Sequence, residues 1–250
     1  MSYILVTNDD GVRAPGILAL TRFVREFGAV GVVAPSSNQS ASGHKKTLYS
    51  DIPFERTSLI DETPALSIGG SPADCIALAA LGAMQWPPRL VVSGINRGAN
   101  MGQDVTYSGT VSAALEAVIH AVPAVAFSMD NHGANDVGDY EHARPVVHAV
   151  VKHMLERDLP PLTILNVNIP GKGPIKGIRL TRQGVRIYLD ELEQEGDVYR
   201  IVGDPPGGEL DTQGTDMWAV HNGYASITPI HLDMTAHHFM ADLAAWDIEL

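Results

Sequence analysis

The sequence predicts an α/β fold, a three-layer Rossmann-like arrangement with a mostly parallel sheet and a β-rich C-terminal extension. Up to about residue 170, short apolar runs alternate with segments in which apolar residues recur at helical spacing, an order that favours parallel strands joined by right-handed crossovers. Beyond Gly171 the runs become short and alternating, which is typical of antiparallel strands. We therefore expect an α/β core over residues 1–170 and a β-rich extension over residues 171–250.

The composition excludes several classes of function. The chain of 250 residues has a net charge of −12 and a pI near 5.1, which argues against a protein that coats nucleic acid or an anionic membrane. Cys75 is the only cysteine, so an intrachain disulfide and a cysteine-rich zinc site are excluded. No apolar run approaches the length of a membrane span. These features favour a cytoplasmic enzyme.

The first predicted strand ends at a pair of carboxylates. The apolar run that includes Leu5 stops at Asn8, and Asp9 and Asp10 follow directly. In open α/β sheets ligands bind at the carboxyl ends of the strands, and two adjacent carboxylates in a cleft repel each other unless a proton or a cation intervenes. The pair therefore indicates a site for a hard divalent cation. A polar turn in which an aspartate caps the next helix is the alternative interpretation.

A second loop is expected at the same edge of the sheet. Pro15 begins a predicted helix that runs through Phe27, and Val30–Ala34 form the second strand. The loop after this strand, PSSNQSASGHKKT, is rich in hydroxyl side chains and lies near the two aspartates if the strands are parallel. Ser40 is the hydroxyl residue of interest in it.

A third loop follows the predicted strand Arg89–Asn96. It carries polar side chains and then leads, through Ser108, Gly109 and Thr110, into the apolar helix VSAALEAVIHA. A helix N-terminus offers unpaired N–H groups and the positive end of a dipole, which together favour a phosphate. An ordinary serine or threonine cap is the alternative. The polar residues of the loop itself are Asn96, Asn100 and Asp104.

The remaining predicted elements are assigned structural roles only. Residues 47–70 are expected to supply short strands at the sheet edge, and a helix begins at Ser71. A strand over Pro123–Met129, an amphipathic helix over Arg144–Leu159 and a strand from Leu162 complete the α/β pattern.

Five segments of the sequence together resemble the survival protein E (SurE) family of nucleotide phosphatases. They are TNDDG from Thr7, APSSNQSASGH from Ala34, GSPADC from Gly70, SGINRGANMGQDVTYSGTV from Ser93 and GTDMWAVHNGYASITP from Gly214. They occur in order over nearly the whole chain. The basic HKKT segment at His44–Thr47 departs from the family pattern, so Lys45 and Lys46 are either substrate contacts or solvated side chains.

The resemblance implies a 5′- or 3′-nucleotidase that depends on one divalent cation per subunit, Mg²⁺ or Mn²⁺. It implies that Asp9, Asp10, Ser40 and Asn96 are the cation ligands. It also implies a cytoplasmic homodimer or homotetramer that assembles through the C-terminal region. The expected substrates are nucleoside monophosphates, without binding to nucleic-acid polymers or membranes.

We hypothesise that Ser108, Gly109 and Thr110 bind the phosphate, with Asn100 as a further contact, while a cation-activated water attacks it in line. Asp9 is the candidate that orients or deprotonates this water. A short-chain exopolyphosphatase and a non-catalytic nucleotide-sensing module are the alternative functions. Phosphate release with and without a chelator separates these possibilities.

Overall fold

The computed structural model describes residues 2–246 and 248. The strands are β1 (Tyr3–Thr7), β2 (Ala29–Pro35), β3 (Phe54–Ser58), β4 (Pro64–Ile68), β5 (Leu90–Arg97), β6 (Ala124–Asp130), β7 (Thr163–Pro170), β8 (Ile178–Leu180), β9 (Arg186–Glu195), β10 (Val198–Gly208) and β11 (Ala225–His231). The helices are α1 (Pro15–Val24), α2 (Pro72–Leu78), α3 (Gly109–Ile119), α4 (Arg144–Glu156), α5 (Asp216–His221) and α6 (Met240–Ala244).

A nine-stranded sheet with the order β3-β4-β2-β1-β5-β6-β7-β11-β8 forms the centre of the molecule. From β4 to β7 all neighbouring strands are parallel, whereas β3 pairs antiparallel with β4 and β11 pairs antiparallel with β7. The prediction of a mostly parallel α/β sheet is confirmed. The short strands expected within residues 47–70 are β3 and β4, at one edge of the sheet.

Helices cover both faces of this sheet, which gives the three predicted layers. Alternate residues of β1 belong to two separate cores, because successive strand side chains point to opposite faces. Ile4 and Val6 pack with the side chains of α1 and α4, whereas Leu5 packs with those of α2 and α3. Both cores are apolar and buried, so the sheet is a firm support for the loops at its edge.

The helix starts predicted from the sequence are confirmed, and several helix ends lie earlier than predicted. Helix α3, predicted through Ala121, ends at Ile119. Ser71 caps α2, where its hydroxyl accepts from the backbone N–H of Asp74 at 3.1 Å and the Asp74 carboxylate accepts in return from the Ser71 N–H at 2.9 Å. Helix α1 ends at Val24 and continues to Phe27 only as a tighter 3₁₀ turn. Helix α4 ends at Glu156, because Arg157 is already extended.

The residues beyond 170 divide between two structures. β11 lies between β7 and β8, so part of this segment completes the main sheet. β9 and β10 form a separate antiparallel pair, as the alternating sequence predicted, and many apolar side chains of this hairpin are exposed. The boundary expected at residue 170 therefore does not lie between the two sheets, because β8 and β11 belong to the main sheet. Among the residues described, no helix is long and apolar enough to cross a membrane.

Candidate active site

The ends of three parallel strands meet around one open pocket of about 510 Å³. Asp9 and Asp10 follow β1, Ser40 follows β2, and Asn96 lies near the end of β5. All four line the pocket. The complete lining is Asp9, Asp10, Ser40, Ala41, Asn96, Arg97, Gly98, Ala99, Asn100, Asp104, Tyr107, Ser108, His132 and Tyr188.

Asp9 is held deep in this pocket by a turn and by helix α3. The Asn8 side chain accepts from the N–H of Gly11 and donates to its carbonyl, which closes the turn around the two aspartates. Asp9 is only 3% exposed, and its Oδ1 accepts a 2.5 Å hydrogen bond from the Thr110 hydroxyl. Burial, together with the charge of Asp10, raises the pKa of Asp9 to about 6 in spite of this hydrogen bond.

Asp10 lies nearer to solvent and contacts both neighbouring loops. Its Oδ1 accepts from the Asn38 side chain at 3.2 Å, and its Oδ2 accepts from the Arg97 backbone N–H at 3.3 Å. Burial raises the pKa of Asp10, although the hydrogen bond and charge of Arg97 oppose this effect. The site thus holds two adjacent carboxylates whose charge the surrounding residues neutralise only in part.

Asn96 is placed by an irregularity in β5. The pairing register between β5 and β6 shifts between Ser93 and Asn96, and Gly94 in this segment has φ +132°. A Cβ at Gly94 would lie 2.2 Å from the carbonyl oxygen of Phe127, so only glycine fits there. The Asn96 amide nitrogen donates to the Gly98 carbonyl at 2.9 Å, which leaves the amide oxygen as the atom free to accept or to bind a cation.

The start of α3 packs directly against Asp9. Ser108 caps the helix by accepting from the Val111 N–H at 3.1 Å. A Cβ at Gly109 would lie 2.8 Å from the Cβ of Asp9, so glycine allows the helix to approach the carboxylate. Ser108 lines the pocket, whereas the hydroxyl of Thr110 is engaged with Asp9. Two of the predicted phosphate-binding residues, Gly109 and Thr110, therefore contact Asp9, a predicted cation ligand.

Asn100 lines the pocket and belongs to a buried polar network. Its backbone N–H donates to Oδ1 of Asn168 at 2.7 Å, and its carbonyl accepts from the side chains of Asn166 and Asn168. Its own amide nitrogen donates to Ser128 at 2.8 Å. Asn166 and Asn168 were not predicted as site residues. The sequence did contain a signal for them, because two asparagines on the same face of the apolar strand β7 indicate a buried polar network.

The C-terminal hairpin also reaches the pocket, which the sequence did not predict. Tyr188 of β9 lines it, and its hydroxyl donates to Asp104, a residue on the loop before α3. Arg186 forms an ion pair with the same carboxylate at 2.9 Å. Burial and the hydrogen bond to Asp104 raise the pKa of Tyr188 to about 12. Arg97 and His132 are further lining residues that the sequence did not identify.

Behind the pocket, Glu116 of α3 anchors the loop that carries Ser40. Its buried carboxylate accepts from Lys46 at 2.8 Å and contacts His44 at 3.0 Å. Burial alone would raise the pKa of Glu116, but the hydrogen bonds and charges of these partners outweigh it and lower the pKa to about 2. Lys46 is thus a structural contact, while the Lys45 side chain is exposed.

Comparison with known proteins identifies the family. The model of the family described as survival protein SurE matches residues 4–190. The chain belongs to the SurE family. It is 44% identical to the 5′-nucleotidase SurE of Chloroflexus aggregans over 254 residues, which covers 99% of this chain and 100% of that protein. It is also 44% identical to 5′-nucleotidase SurE 1 of Thermus thermophilus, with 96% of each chain covered.

A solved SurE structure has the same fold. The crystal structure of the SurE protein from Aquifex aeolicus superimposes with a TM-score of 0.81 at 38% sequence identity, and the match covers 97% of this chain and 98% of that one. The resemblance of the five sequence segments to the SurE family is therefore confirmed, and so is the predicted fold class.

Proposed function

We propose that this SurE protein is a nucleotidase that releases phosphate from nucleoside monophosphates and uses one divalent cation per subunit, Mg²⁺ or Mn²⁺. Full-length relatives at 44% identity are named 5′-nucleotidases, which supports the reaction class. The observation that carries the proposal is the convergence of Asp9, Asp10, Ser40 and Asn96 on one pocket beside the N-terminus of α3.

The chemistry of these four residues fits a hard cation. They supply carboxylate, hydroxyl and amide oxygens, which are the donors that Mg²⁺ and Mn²⁺ favour. No lysine, arginine or histidine side chain forms an ion pair with Asp9 or Asp10 among residues 2–246 and 248. Burial raises the pKa of both carboxylates because it disfavours their anionic forms, and a bound cation would stabilise those forms.

Each of the other residues has a role that follows from its position. When bound, the cation supplies positive charge that polarises a phosphoryl oxygen and makes a water more acidic. Ser108 and Gly109 offer the N–H groups and dipole of the α3 N-terminus to the phosphate. Asp9 accepts the proton of the attacking water, and the Thr110 hydroxyl holds this carboxylate in one orientation. Asn100 is a further phosphate contact, fixed by its network with β7.

The test is phosphate release from a panel of 5′- and 3′-nucleoside monophosphates and a short polyphosphate, with chelator and then with added Mn²⁺ or Mg²⁺. We expect release from nucleotides that chelation abolishes and either cation restores. Asp9→Asn and Asn96→Ala should each lower kcat/KM by about a hundredfold or more. Asp51→Asn changes an exposed aspartate outside the pocket and is the matched control.

Three results would contradict the proposal. Near-wild-type turnover in both site variants without extra cation would show that Asp9 and Asn96 are not cation ligands. Nucleotide binding without phosphate release would indicate a sensing module instead. Rapid release from polyphosphate with none from nucleotides would indicate an exopolyphosphatase.

We also propose that the subunits assemble into a homodimer or homotetramer through the C-terminal region. Exposed apolar side chains are concentrated there, and patches of this kind mark interaction surfaces. The main ones are Leu192, Val198, Tyr199, Ile201, Met234, Met240 and Trp246. Light scattering should give a mass of two or four chains, and a single-chain mass at micromolar concentration would contradict the assignment.

A further inference from the structure

His132 lies at a fourth strand end that opens into the pocket. The predicted cation ligands lie at the ends of β1, β2 and β5, whereas His132 follows β6, which ends at Asp130. It is the one histidine among the described residues that line the pocket. Histidine is the side chain that most readily gives and takes a proton near neutral pH. The pocket therefore contains one group suited to proton transfer besides the predicted cation ligands.

A glycine at the end of β5 makes room for the imidazole of His132. Gly98 has φ +114°, and a Cβ at this position would lie 2.5 Å from Cε1 and 2.9 Å from Nδ1 of the ring. The imidazole thus occupies the space that a side chain at position 98 would need. Packing against this backbone places the ring beside the segment that carries Asn96.

Two hydrogen bonds join the end of β5 to β6 and to the loop after it. The N–H of Gly98 donates to the Met129 carbonyl at 2.8 Å. The Arg97 side chain donates to Oδ1 of Asn135 at 3.0 Å. These contacts lie on both sides of His132 in the sequence, so they hold its loop against the strand that supplies a predicted cation ligand.

The ring nitrogens of His132 have no hydrogen-bond or ion-pair partner in the part of the chain that the structure describes. In several other histidines a ring nitrogen contacts an oxygen atom of the protein, namely in His44, His120, His142, His148 and His237. The side chain of His132 is also exposed. It can therefore contact a substrate in the pocket and regain a proton from solvent.

The sheet order sets the spacing between Asp9 and His132. They follow β1 and β6, which lie on either side of β5. Neighbouring strands are about 4.8 Å apart, so these two strand ends are separated by about 10 Å. In inverting glycosidases the base and the acid lie about 6.5–9.5 Å apart, with the attacking water and the reacting atom between them. In-line displacement at phosphorus also places the attacking and leaving oxygens on opposite sides, so the spacing suits a water at Asp9 and a leaving group at His132.

We propose that protonated His132 is the acid that gives a proton to the leaving-group oxygen of the substrate. This inference rests on the proposed function and extends its mechanism. As the water oxygen bonds to phosphorus, the bond from phosphorus to the ester oxygen breaks, and the electron pair left on that oxygen takes the proton of His132 to give an alcohol. Asp9 takes a proton from the attacking water, and exchange with solvent restores both side chains.

The experiment compares adenosine 5′-monophosphate with the analogue in which sulfur replaces the bridging 5′ oxygen, both at saturating Mn²⁺. A thiolate is far less basic than an alkoxide and leaves without a proton. His132→Gln keeps a hydrogen-bond donor but has no proton to give up. We expect it to lower kcat about a hundredfold for the oxygen ester and less than about threefold for the sulfur ester. In His132→Ala, added imidazole should restore part of the rate lost with the oxygen ester.

His153→Gln is the matched control, because this histidine of α4 has a side chain 61% exposed and lies outside the pocket, and it should change neither rate. Equal losses on both esters, or no loss with His132→Gln, would overturn the acid role while leaving phosphatase activity established. If the wild-type protein cleaves only the oxygen ester, absence of rescue by imidazole would overturn it. If the wild-type protein releases phosphate from neither ester, the proposed function fails, and the acid role fails with it.

Discussion

The hydroxyl of Thr110 donates a 2.5 Å hydrogen bond to Oδ1 of Asp9. This contact joins the second residue of α3 to the carboxylate that follows β1, across 101 positions of sequence. Through it, the helix that is proposed to bind the phosphate also orients a predicted cation ligand. The two parts of the site are therefore coupled by a buried hydrogen bond.

Replacing Thr110 with valine tests this coupling. Valine has nearly the same shape but no hydroxyl, so it leaves a buried carboxylate oxygen without its donor, at a cost of about 1–3 kcal/mol in the free energy of unfolding. We expect kcat to fall by about tenfold or more as Asp9 loses its orientation. Thr110→Ser keeps the hydroxyl and should remain close to wild type in both measurements. Equal kinetics of the valine and serine variants would show that the contact has no catalytic role.

Asp9 should make the cation-free protein less stable as the pH rises. Its pKa is near 6 when folded and near 4 when unfolded, so the folded state binds more protons between these values and stability decreases from about pH 4 to about pH 6. Above pH 6 the cost reaches about 3 kcal/mol. We expect Asp9→Asn to be more stable than wild type by that order at pH 7.5 in chelator, with little difference at pH 4.

Denaturation of both proteins across this pH range, followed by addition of Mn²⁺, provides the measurement. A cation that binds only the folded protein stabilises it by mass action, so Mn²⁺ should raise the melting temperature of wild type more than that of the variant. A constant stability difference at every pH would show that Asp9 does not titrate in this window.

The contribution of Glu116 to stability should depend on pH in the opposite sense to that of Asp9. Its folded pKa is about 2, below the unfolded value near 4.3, so its contribution is present above about pH 4.5 and is lost as the pH falls towards 2. Because Lys46 and His44 are partly exposed and screened by water, we expect Glu116→Gln to lose only about 1–2 kcal/mol at pH 7.

Two neighbouring lysines serve as a matched pair for this prediction. Lys46→Gln removes a partner of Glu116, whereas Lys45→Gln changes an exposed lysine whose side chain forms no ion pair among the described residues. Urea denaturation should show a loss only for Lys46→Gln. The same loss in both variants would mean that general charge, and not the contact with Glu116, is being measured.

Gly109→Ala should damage both stability and activity. The added Cβ would lie 2.8 Å from the Cβ of Asp9 and 3.0 Å from Cγ of Pro72, so the start of α3 must shift. Overpacking of this kind costs about 1–3 kcal/mol. Gly138→Ala is the control, because its Cβ would meet nothing within 4 Å, and it should change stability by less than about 0.5 kcal/mol. Thermal denaturation and phosphate release together check both effects.

The core of the site could be predicted because it depends on local pattern and on one topological rule. The apolar run before Asp9, the loop containing Ser40 and the strand before Asn96 are each visible in the sequence. Parallel pairing then requires their carboxyl ends to meet at one edge. The pocket lined by these residues agrees with that argument.

The side of the pocket that Tyr188 and Asp104 form could not be predicted, because it depends on contacts between residues distant in sequence. Tyr188 and Asp104 are 84 positions apart, and the spacing around Tyr188 indicates only a strand. Similarly, the short alternating runs beyond Gly171 indicated antiparallel strands but did not show where β11 would pair. Its position between β7 and β8 follows from backbone pairing that has no signature in composition.

The placement of β11 also determines the shortest fragment that can be expected to fold. The family model ends at residue 190, yet β11 lies beyond that limit and pairs with β7 over six residues. A chain cut near residue 190 would leave the backbone groups of β7 uncovered beside apolar side chains, which is a template for edge-to-edge aggregation. Expression of the catalytic region alone therefore requires the sequence through His231.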